Sequence, residues 1–356
     1  MNEPSLNATP DSAAPTKPPP LWIRGLIALG AGAWGVALVL MRGGDDRDMK
    51  DLDQAWYAAR ALIAGGNPYD VVGPGQAFEW GWPLLYPLPA VLIAVPFSFA
   101  NLPLARLLFV AISSALLGFA FTRHGYHRLL VFGSMAYLFA AVVAQWEILL
   151  SAAAILPFAG WALAAKPNIG LALLVAYPRR QAFIALAAIL TLSIVLMPGW
   201  PLEWWKALDN ASHIRPPVTY AGGIFLLLAL LRWRRPEARL LAALACTPHN
   251  IALYALIPLF LIPATLGESL ILAWCTWIAK LILDASHHGP WESYDQMFAF
   301  NGTFLVPLVY LPALIMVLRR PNEGDVPDWV DRGLRKLFLR LPGRNRVLRS
   351  GTSHAQ

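Results

Sequence analysis

A lysine inside an apolar run is the first residue of this sequence that points to chemistry. Lys166 lies in the segment ALAAKPNIGLALL, where no acidic residue is near it in sequence. A lysine at the centre of a bilayer costs about 2.5–3.5 kcal/mol on insertion scales, so its counter-charge must come from another segment or from a ligand. A compact ammonium suits an anionic ligand such as a phosphate. The alternatives are an ion pair with Glu147 or a side chain that extends to water.

A histidine in a second polar break is the next candidate. His249 lies in the sequence Thr247-Pro248-His249-Asn250, between two apolar runs. Its ring can donate a hydrogen bond to a phosphate oxygen, which predicts that Lys166 and His249 share one anion site. The alternative is that the ring bonds to backbone carbonyls around Pro248, because a proline removes backbone hydrogen bonds.

Carboxylates are concentrated in the segment 45–53, which contains five aspartates. Asp51 lies where a polar loop becomes an amphipathic helix over 51–64, and a fixed backbone there can aim the carboxylate as a general base. Its alternative role is to stabilise the helix N-terminus. Asp53 is the reserve candidate for the base. Six further residues are candidates to line a substrate path: Tyr57, Arg60, Tyr86, Gln145, Glu147 and Asn168.

Membrane helices must position these residues. Of the 356 residues, 57% are hydrophobic and 14% are charged, whereas soluble domains have about 25% charged residues. Apolar runs such as 21–41 and 301–318 are long enough to cross a bilayer and exclude a soluble enzyme. We therefore predict an all-α polytopic membrane domain over 21–318. The sequence has no zinc-ligand spacing and no P-loop, so we expect neither a metal nor a cofactor.

The distribution of Lys and Arg predicts the orientation of this domain. The segment 42–85 has more acidic than basic residues, and 285–301 has no Lys or Arg. The basic residues gather in four places, at 123–128, 179–180, 232–239 and from 319 onward. Because cytoplasmic loops carry the excess of Lys and Arg, we expect these clusters inside and an outer first loop at 42–101.

Both chain termini are then cytoplasmic. Residues 1–20 are rich in Pro, Ser and Ala and are expected to be disordered. Residues 319–356 form a basic tail, which is not a nucleic-acid-binding domain. Within it, 328–340 has an apolar and a basic face, so we expect either an interfacial helix on an anionic leaflet or a solvated tail.

Three apolar stretches cannot be full spans without placing a basic cluster outside. The stretch 84–100 is expected to be an interfacial or re-entrant helix on the outer side, broken at Pro87, Pro89 and Pro96. The stretches 161–177 and 239–263 are expected to be broken at 166–168 and 247–250. Since irregular backbone at membrane depth must line a cavity, both breaks should lie beside one. These half-helices accompany about eight full spans.

The first loop resembles a known signature. The residues Asp51, Leu52, Trp56–Leu62, Ala64-Gly65 and Pro68-Tyr69-Asp70 are similar to the first-loop signature of glycosyltransferase family 87. In the order of that family, the following elements are Tyr86-Pro87-Leu88-Pro89, Gln145, Ala164-Ala165-Lys166-Pro167-Asn168 and Thr247-Pro248-His249. The resemblance covers roughly 51–263.

The resemblance implies a GT-C fold with two juxtamembrane helices in the outer loop. It implies an inverting transferase that moves a sugar, mannose being the expected one, from a polyprenyl-phosphate donor to a lipid or glycan acceptor. The catalytic aspartate would be Asp51, and the donor phosphate would lie near Lys166 and His249. The implied location is a bacterial inner membrane with the active site on the outer face.

Two other classes of protein compete with this interpretation. A transporter or flippase of a lipid-linked sugar would also use broken helices and intramembrane charge, but it needs no loop carboxylate. A structural membrane subunit leaves the cost of burying Lys166 unexplained.

Overall fold

The computed structural model describes residues 19–42, 50–211, 214–324, 326 and 332, and these are helical apart from short connections. The α-helices are α1 Leu21–Arg42, α2 Asp51–Ile63, α3 Leu88–Ser98, α4 Leu102–Phe121, α5 Met135–Val142, α6 Glu147–Ile155, α7 Pro167–Ala176, α8 Arg180–Leu196, α9 Trp200–Leu208, α10 Pro236–Cys246, α11 Leu266–Ser286, α12 Tyr294–Leu305 and α13 Leu311–Leu318. The longer 3₁₀ segments are His127–Gly133, Pro157–Ala164, Gly223–Arg232 and Leu253–Leu261.

Within the described ranges, four helices are long and apolar enough to cross a membrane. They are α1, α4, α11 and the continuous stretch Tyr294–Leu318, which joins α12 and α13 through a π-helical turn. Two bent pairs, α5 with α6 and α8 with α9, raise the number to six if each is one span. The protein is therefore embedded in a membrane by at least these helices. About eight spans are not confirmed, because several apolar stretches are divided into short pieces.

Small residues allow the first two spans to pack closely. A side chain at Gly118 of α4 would lie 2.9 Å from the Cβ atom of Ala31 in α1. A side chain at Gly35 of α1 would lie 2.8 Å from the hydroxyl of Ser114. Close approach of backbones through small residues stabilises helix pairs in membranes, where lipid contact offers no hydrophobic gain over helix contact.

The two stretches with polar breaks fold into short hairpins, as predicted. The first descends through α6, returns through Pro157–Ala164 and descends again through α7 after the break at Lys166. The second rises through α10, breaks after Thr247 and returns through Leu253–Leu261. Their arms have 8 to 11 residues, which corresponds to about 14–18 Å. Each arm therefore covers about half of a bilayer core.

Arginines bind the carbonyl groups at one end of these helices, which we call the basic end. They satisfy acceptors that lack partners in the last helical turn. The pairs are Arg24 with Phe119, Arg128 with Pro263, Arg179 with Ile155, Arg232 with Leu318, Arg239 with Ala176 and Arg320 with Ile262. The helices α6 and α7 run from the polar break at their N-termini to this end.

The helices predicted within the first loop are confirmed in part. Two helices form there, α2 and α3, as expected for 51–64 and for part of 84–100. The expectation that Pro89 and Pro96 break the second helix is wrong. Pro89 lies in the first turn of α3, where its missing N–H has no helical partner to lose, and the helix continues through Pro96. Only Pro87 marks a boundary. The expected disorder of 1–20 and the expected interfacial helix at 328–340 lie almost wholly outside the described residues.

Candidate functional site

A strained bend supplies the first side chains of the site. The chain bends by 117° between α5 and α6, and Ala144 between them has a φ of 49°, a conformation that non-glycine residues rarely adopt. The bend is held by a hydrogen bond from the Gln145 N–H to the Ala140 carbonyl at 2.9 Å, and the Asp51 N–H donates to the Val143 carbonyl at 3.0 Å. It presents Gln145 and Glu147 side by side and joins them to the start of α2.

Lys166 lies among three acceptors. Its Nζ atom donates to Gln145 Oε1 at 2.7 Å, to Glu147 Oε1 at 3.1 Å and to Asp51 Oδ2 at 3.1 Å. Its ammonium also lies 5.4 Å from the ring centre of Tyr254. The sequence allowed a ligand, Glu147, another segment or water as the partner of Lys166. In the structure Lys166 pairs with Glu147 and also with Asp51.

Two further donors hold the Asp51 carboxylate. The Tyr86 hydroxyl donates to Oδ2, and the Gln54 side-chain amide donates to Oδ1 at 3.1 Å. Burial first, and then the charge of Asp51, raise the pKa of Tyr86 well above its usual value, so this hydroxyl remains a proton donor. The side chain of Asp51 is 18% exposed, which leaves it open to the cavity beside it.

The cluster has a formal charge of −1, because Asp51 and Glu147 share one ammonium. All three N–H groups of Lys166 have acceptors, so a phosphate can bind this nitrogen only by displacing one of them. The counter-charge of Lys166 therefore comes from Glu147 and from another segment, which is one of the alternatives that the sequence left open. The physical reason is that burial without a counter-charge costs several kcal/mol per ion, and the chain supplies its own.

His249 is engaged more completely than the sequence suggested. It is 3% exposed, its Nδ1 lies 2.8 Å from the Thr247 carbonyl and its Nε2 lies 3.0 Å from the Tyr310 hydroxyl. Since a carbonyl only accepts, Nδ1 carries the proton and a neutral ring accepts from Tyr310. The alternative in which His249 bonds to a carbonyl beside Pro248 is correct. A direct hydrogen bond from this ring to a phosphate would require the loss of one of these contacts.

A cavity of about 360 Å³ lies beside the cluster. Asp51, Glu147, Lys166 and His249 all line it, so the two breaks border one cavity, as predicted. The Asn168 side-chain amide donates to the Pro248 carbonyl at 2.9 Å and ties the two breaks together. Aromatic side chains form much of the remaining wall: Trp80, Trp82, Tyr86, Trp204 and Tyr254.

Asp53 lies outside this cavity although it is only two positions from Asp51. Its two oxygens bind Arg106 of α4 at 2.9 and 2.6 Å, and Oδ2 also accepts from the Lys50 N–H at 2.7 Å. The side chain is 1% exposed. Two positions along a helix turn a side chain by about 200°, so α2 presents Asp51 to the cavity and uses Asp53 to attach itself to α4.

Three of the six candidates to line a substrate path are not part of the cavity wall: Tyr57, Arg60 and Gln145. Tyr57 stacks on Phe78 with ring centres 4.2 Å apart, and the exposed Arg60 lies 4.9 Å above the ring of Trp56. Arg60 is nine positions from Asp51, which places it about 180° around α2. Tyr57 and Arg60 thus face away from this cavity, whereas Tyr86, Glu147 and Asn168 line it and Gln145 binds Lys166.

Three residues whose side chains contact Asp51, Lys166 or His249 were not among the candidates predicted from the sequence. Gln54 was detectable, because it is three positions from Asp51 and shares its helix face. Tyr254 and Tyr310 had no local signal, since apolar runs surround both and only packing brings them to Lys166 and His249.

The described residues contain no group of three His, Cys, Asp or Glu side chains that could hold a metal ion. Comparison of the chain with protein-family models, with curated proteins and with solved structures finds no match.

Proposed function

We propose that this protein is a membrane glycosyltransferase that moves a sugar from a polyprenyl-phosphate donor to a lipid or glycan acceptor. The observation that carries the proposal is the contact between Asp51 and Lys166 at the wall of one aromatic-lined cavity. It joins a carboxylate from a loop helix to a cation at a helix break. The resemblance of the first loop to glycosyltransferase family 87 supports a GT-C fold and mannose as the sugar.

Asp51 acts as the general base in this proposal. Among the described residues, Oδ1 accepts from Gln54 alone, and a carboxylate oxygen has two lone pairs. The second lone pair of Oδ1 can take up the proton of a hydroxyl group on the acceptor substrate. The oxygen of that hydroxyl attacks the anomeric carbon of the sugar at the same time. The bond from that carbon to the phosphate oxygen breaks, and its electron pair leaves with the phosphate. One carboxylate suffices for a single displacement with inversion.

Lys166 binds the leaving phosphate by exchanging one of its acceptors for a phosphate oxygen. The N-terminus of α7, at the same wall, adds the positive end of a helix dipole. Asn168 contributes an amide. His249 fixes the second break rather than binding the phosphate itself.

The aromatic wall suits the apolar faces of a sugar ring. Its side chains are held in place: the Trp204 indole N–H donates to the Leu85 carbonyl at 2.9 Å, and Trp82 packs on Tyr294 with ring centres 4.3 Å apart. Aromatic rings with a bonded polar tip offer large, rigid contact surfaces. A hydroxyl-rich, uncharged ring fits this environment beside a cluster of charge −1.

The orientation follows the basic end. We place that end in the cytoplasm of a bacterial inner membrane, with both termini inside and the cavity open to the outer side. Single cysteines at Ser353 and Gly289 test this in intact cells with a membrane-impermeant thiol reagent, in a background with Cys246 and Cys275 replaced. Labelling at Gly289 but not at Ser353 is expected, and labelling at Ser353 would contradict the orientation.

The direct test is an assay of the purified protein. Radiolabelled polyprenyl-phosphate sugars, mannose first, are incubated with the protein and a membrane lipid extract, and transfer to a new lipid or glycan is measured. Transfer by the natural protein and loss of transfer in Asp51→Asn would support the proposal. Failure to transfer any sugar would contradict it.

A transporter of a lipid-linked sugar is the second candidate, favoured by the two broken helices at one cavity. It would bind the same donor but consume none. Translocation of a labelled donor across vesicles that continues unchanged in Asp51→Asn would favour the transporter.

A further inference from the structure

A general base in contact with an ammonium raises a physical problem. An opposite charge within about 4–6 Å stabilises the ionised form of a carboxylate and weakens it as a base. Lys166 Nζ lies 3.1 Å from Asp51 Oδ2. A base needs a proton affinity that suits the working pH. If Lys166 had Asp51 as its single counter-charge, the cation would suppress the reaction that the proposed function assigns to Asp51.

A second carboxylate opposes this effect. Glu147 Oε1 also lies 3.1 Å from Lys166 Nζ, so the ammonium pairs with both carboxylates at the same distance. The bend at Ala144 fixes Glu147 in place, and its side chain is 3% exposed. A negative charge held this close to Asp51 in a poorly solvated site favours proton uptake by Asp51.

We propose that Glu147 is a positioning residue whose carboxylate, paired with the same ammonium, keeps Asp51 able to take up a proton. This inference rests on the proposed function. In the reaction, the acceptor hydroxyl proton moves to Asp51 while the new carbon–oxygen bond forms and the bond to phosphate breaks. In this scheme Glu147 neither takes up the proton nor forms a bond to the substrate. Its carboxylate pairs with Lys166, and its negative charge opposes the effect of that ammonium on Asp51.

The other titratable groups around the cluster do not replace this charge. Tyr86 faces it from the loop before α3, Tyr254 from the second hairpin and Tyr310 from the last span, and each is a phenol that carries no charge at neutral pH. His249 is satisfied as a neutral ring. Of the described residues that line the cavity, the remaining charged side chains are Asp51, Glu147 and Lys166.

The test replaces Glu147 by the isosteric glutamine. Glu147→Gln removes the negative charge that opposes Lys166, so the ammonium stabilises the Asp51 carboxylate more strongly, and kcat should fall about tenfold. The acidic limb of the pH–rate profile should move to lower pH, because a more strongly stabilised carboxylate takes up its proton at lower pH. The KM for the donor should stay the same or fall, because the cluster changes from −1 to neutral and repels a phosphate less.

A charge swap on the same bend provides the matched variant. Gln145 binds the same ammonium at 2.7 Å, so Gln145→Glu combined with Glu147→Gln returns a carboxylate to Lys166. The double variant should recover most of kcat and the original acidic limb. A purely structural role for Glu147 would instead lower the thermal stability of both variants without moving the limb.

Three outcomes overturn the inference. They are an unchanged pH–rate profile in Glu147→Gln, a shift of its acidic limb to higher pH, and failure of the double variant to fold or to recover activity. Each is distinct from failure of the proposed function. That failure would show as an absence of transfer by the natural protein, and it would remove the inference together with the reaction.

Discussion

Cations at the two ends of the molecule are bound in different ways. At the basic end, the guanidinium of Arg239 donates to the carbonyls of Val175 and Ala176 at the end of α7, 3.1 and 3.0 Å away. At the cavity, Lys166 precedes the first turn of the same helix and binds two carboxylates and an amide oxygen. One helix thus has a cation at each end, with backbone partners at one and side-chain partners at the other.

The difference follows from what each end of a helix offers. The last turn exposes carbonyls that need donors, and the planar fork of arginine reaches several of them. The first turn exposes N–H groups, which leave a cation without backbone acceptors. Lys166 therefore depends on Glu147 and Asp51, which are 19 and 115 positions away. Cations at the basic end stabilise helix ends, whereas the cation at the cavity organises acids that can do chemistry.

The largest expected effect breaks the cavity cluster. Asp51→Asn keeps the shape of the side chain but removes the proposed base, which should lower turnover at least about a hundredfold, as general bases contribute typically 10²–10⁴-fold. Donor binding should be retained, because Lys166 keeps Glu147 and Gln145. Transfer rate and donor affinity are measured on the same purified variant. Turnover within a factor of three of the natural protein would remove Asp51 from the reaction.

The second effect concerns the neighbouring carboxylate on the same helix. Asp53→Asn removes the carboxylate that binds the buried Arg106, which should reduce the free energy of unfolding by about 3–5 kcal/mol. The folded fraction should turn over near the natural rate, because Asp53 lies outside the cavity. Unfolding in detergent and turnover per folded molecule check the two parts.

A paired variant serves as the control for this prediction. Asp53→Asn with Arg106→Gln removes both charges and should recover part of the lost stability. Loss of turnover in Asp53→Asn with unchanged stability would show that the assignment of the base is two residues in error.

The third effect tests the basic end. Arg239→Met retains length but removes the donors to the carbonyls at the end of α7, which should reduce the free energy of unfolding by about 1–2 kcal/mol. Turnover should not change, because the cavity is at the other end of the helix. Arg239→Lys is the matched variant and should recover part of the loss, since it keeps the charge without the fork. A fall in turnover without a loss of stability would contradict the inference that the basic end stabilises the fold and that only the cavity affects turnover.

The smallest effect is expected on the exposed face of α2. Arg60→Ala removes a cation stacked on Trp56 and should change the free energy of unfolding by no more than about 0.5 kcal/mol, as surface substitutions usually do. Its transfer rate should match that of the natural protein. A tenfold rise in the KM for the donor would return Arg60 to the substrate path, as the sequence had predicted.

The sequence by itself determined the class of protein and the positions of two of its breaks. Long apolar runs require membrane helices, and a proline at 167 or 248 removes a backbone donor wherever the helix lies. The helix over 51–63 and the divergence of Asp51 from Asp53 follow from local periodicity. These features depend on residues within one or two turns of each other.

Only the tertiary structure decided the chemistry of the site. No local preference predicts a positive φ at Ala144, and packing around the bend must impose it. Whether Lys166 binds a ligand or acidic residues of its own chain depends on which distant segments pack against it. Tyr310 reached His249 from 61 positions away. The partners of a buried charge are the groups that lie near it in space, whereas a sequence pattern shows only which residues are near each other along the chain.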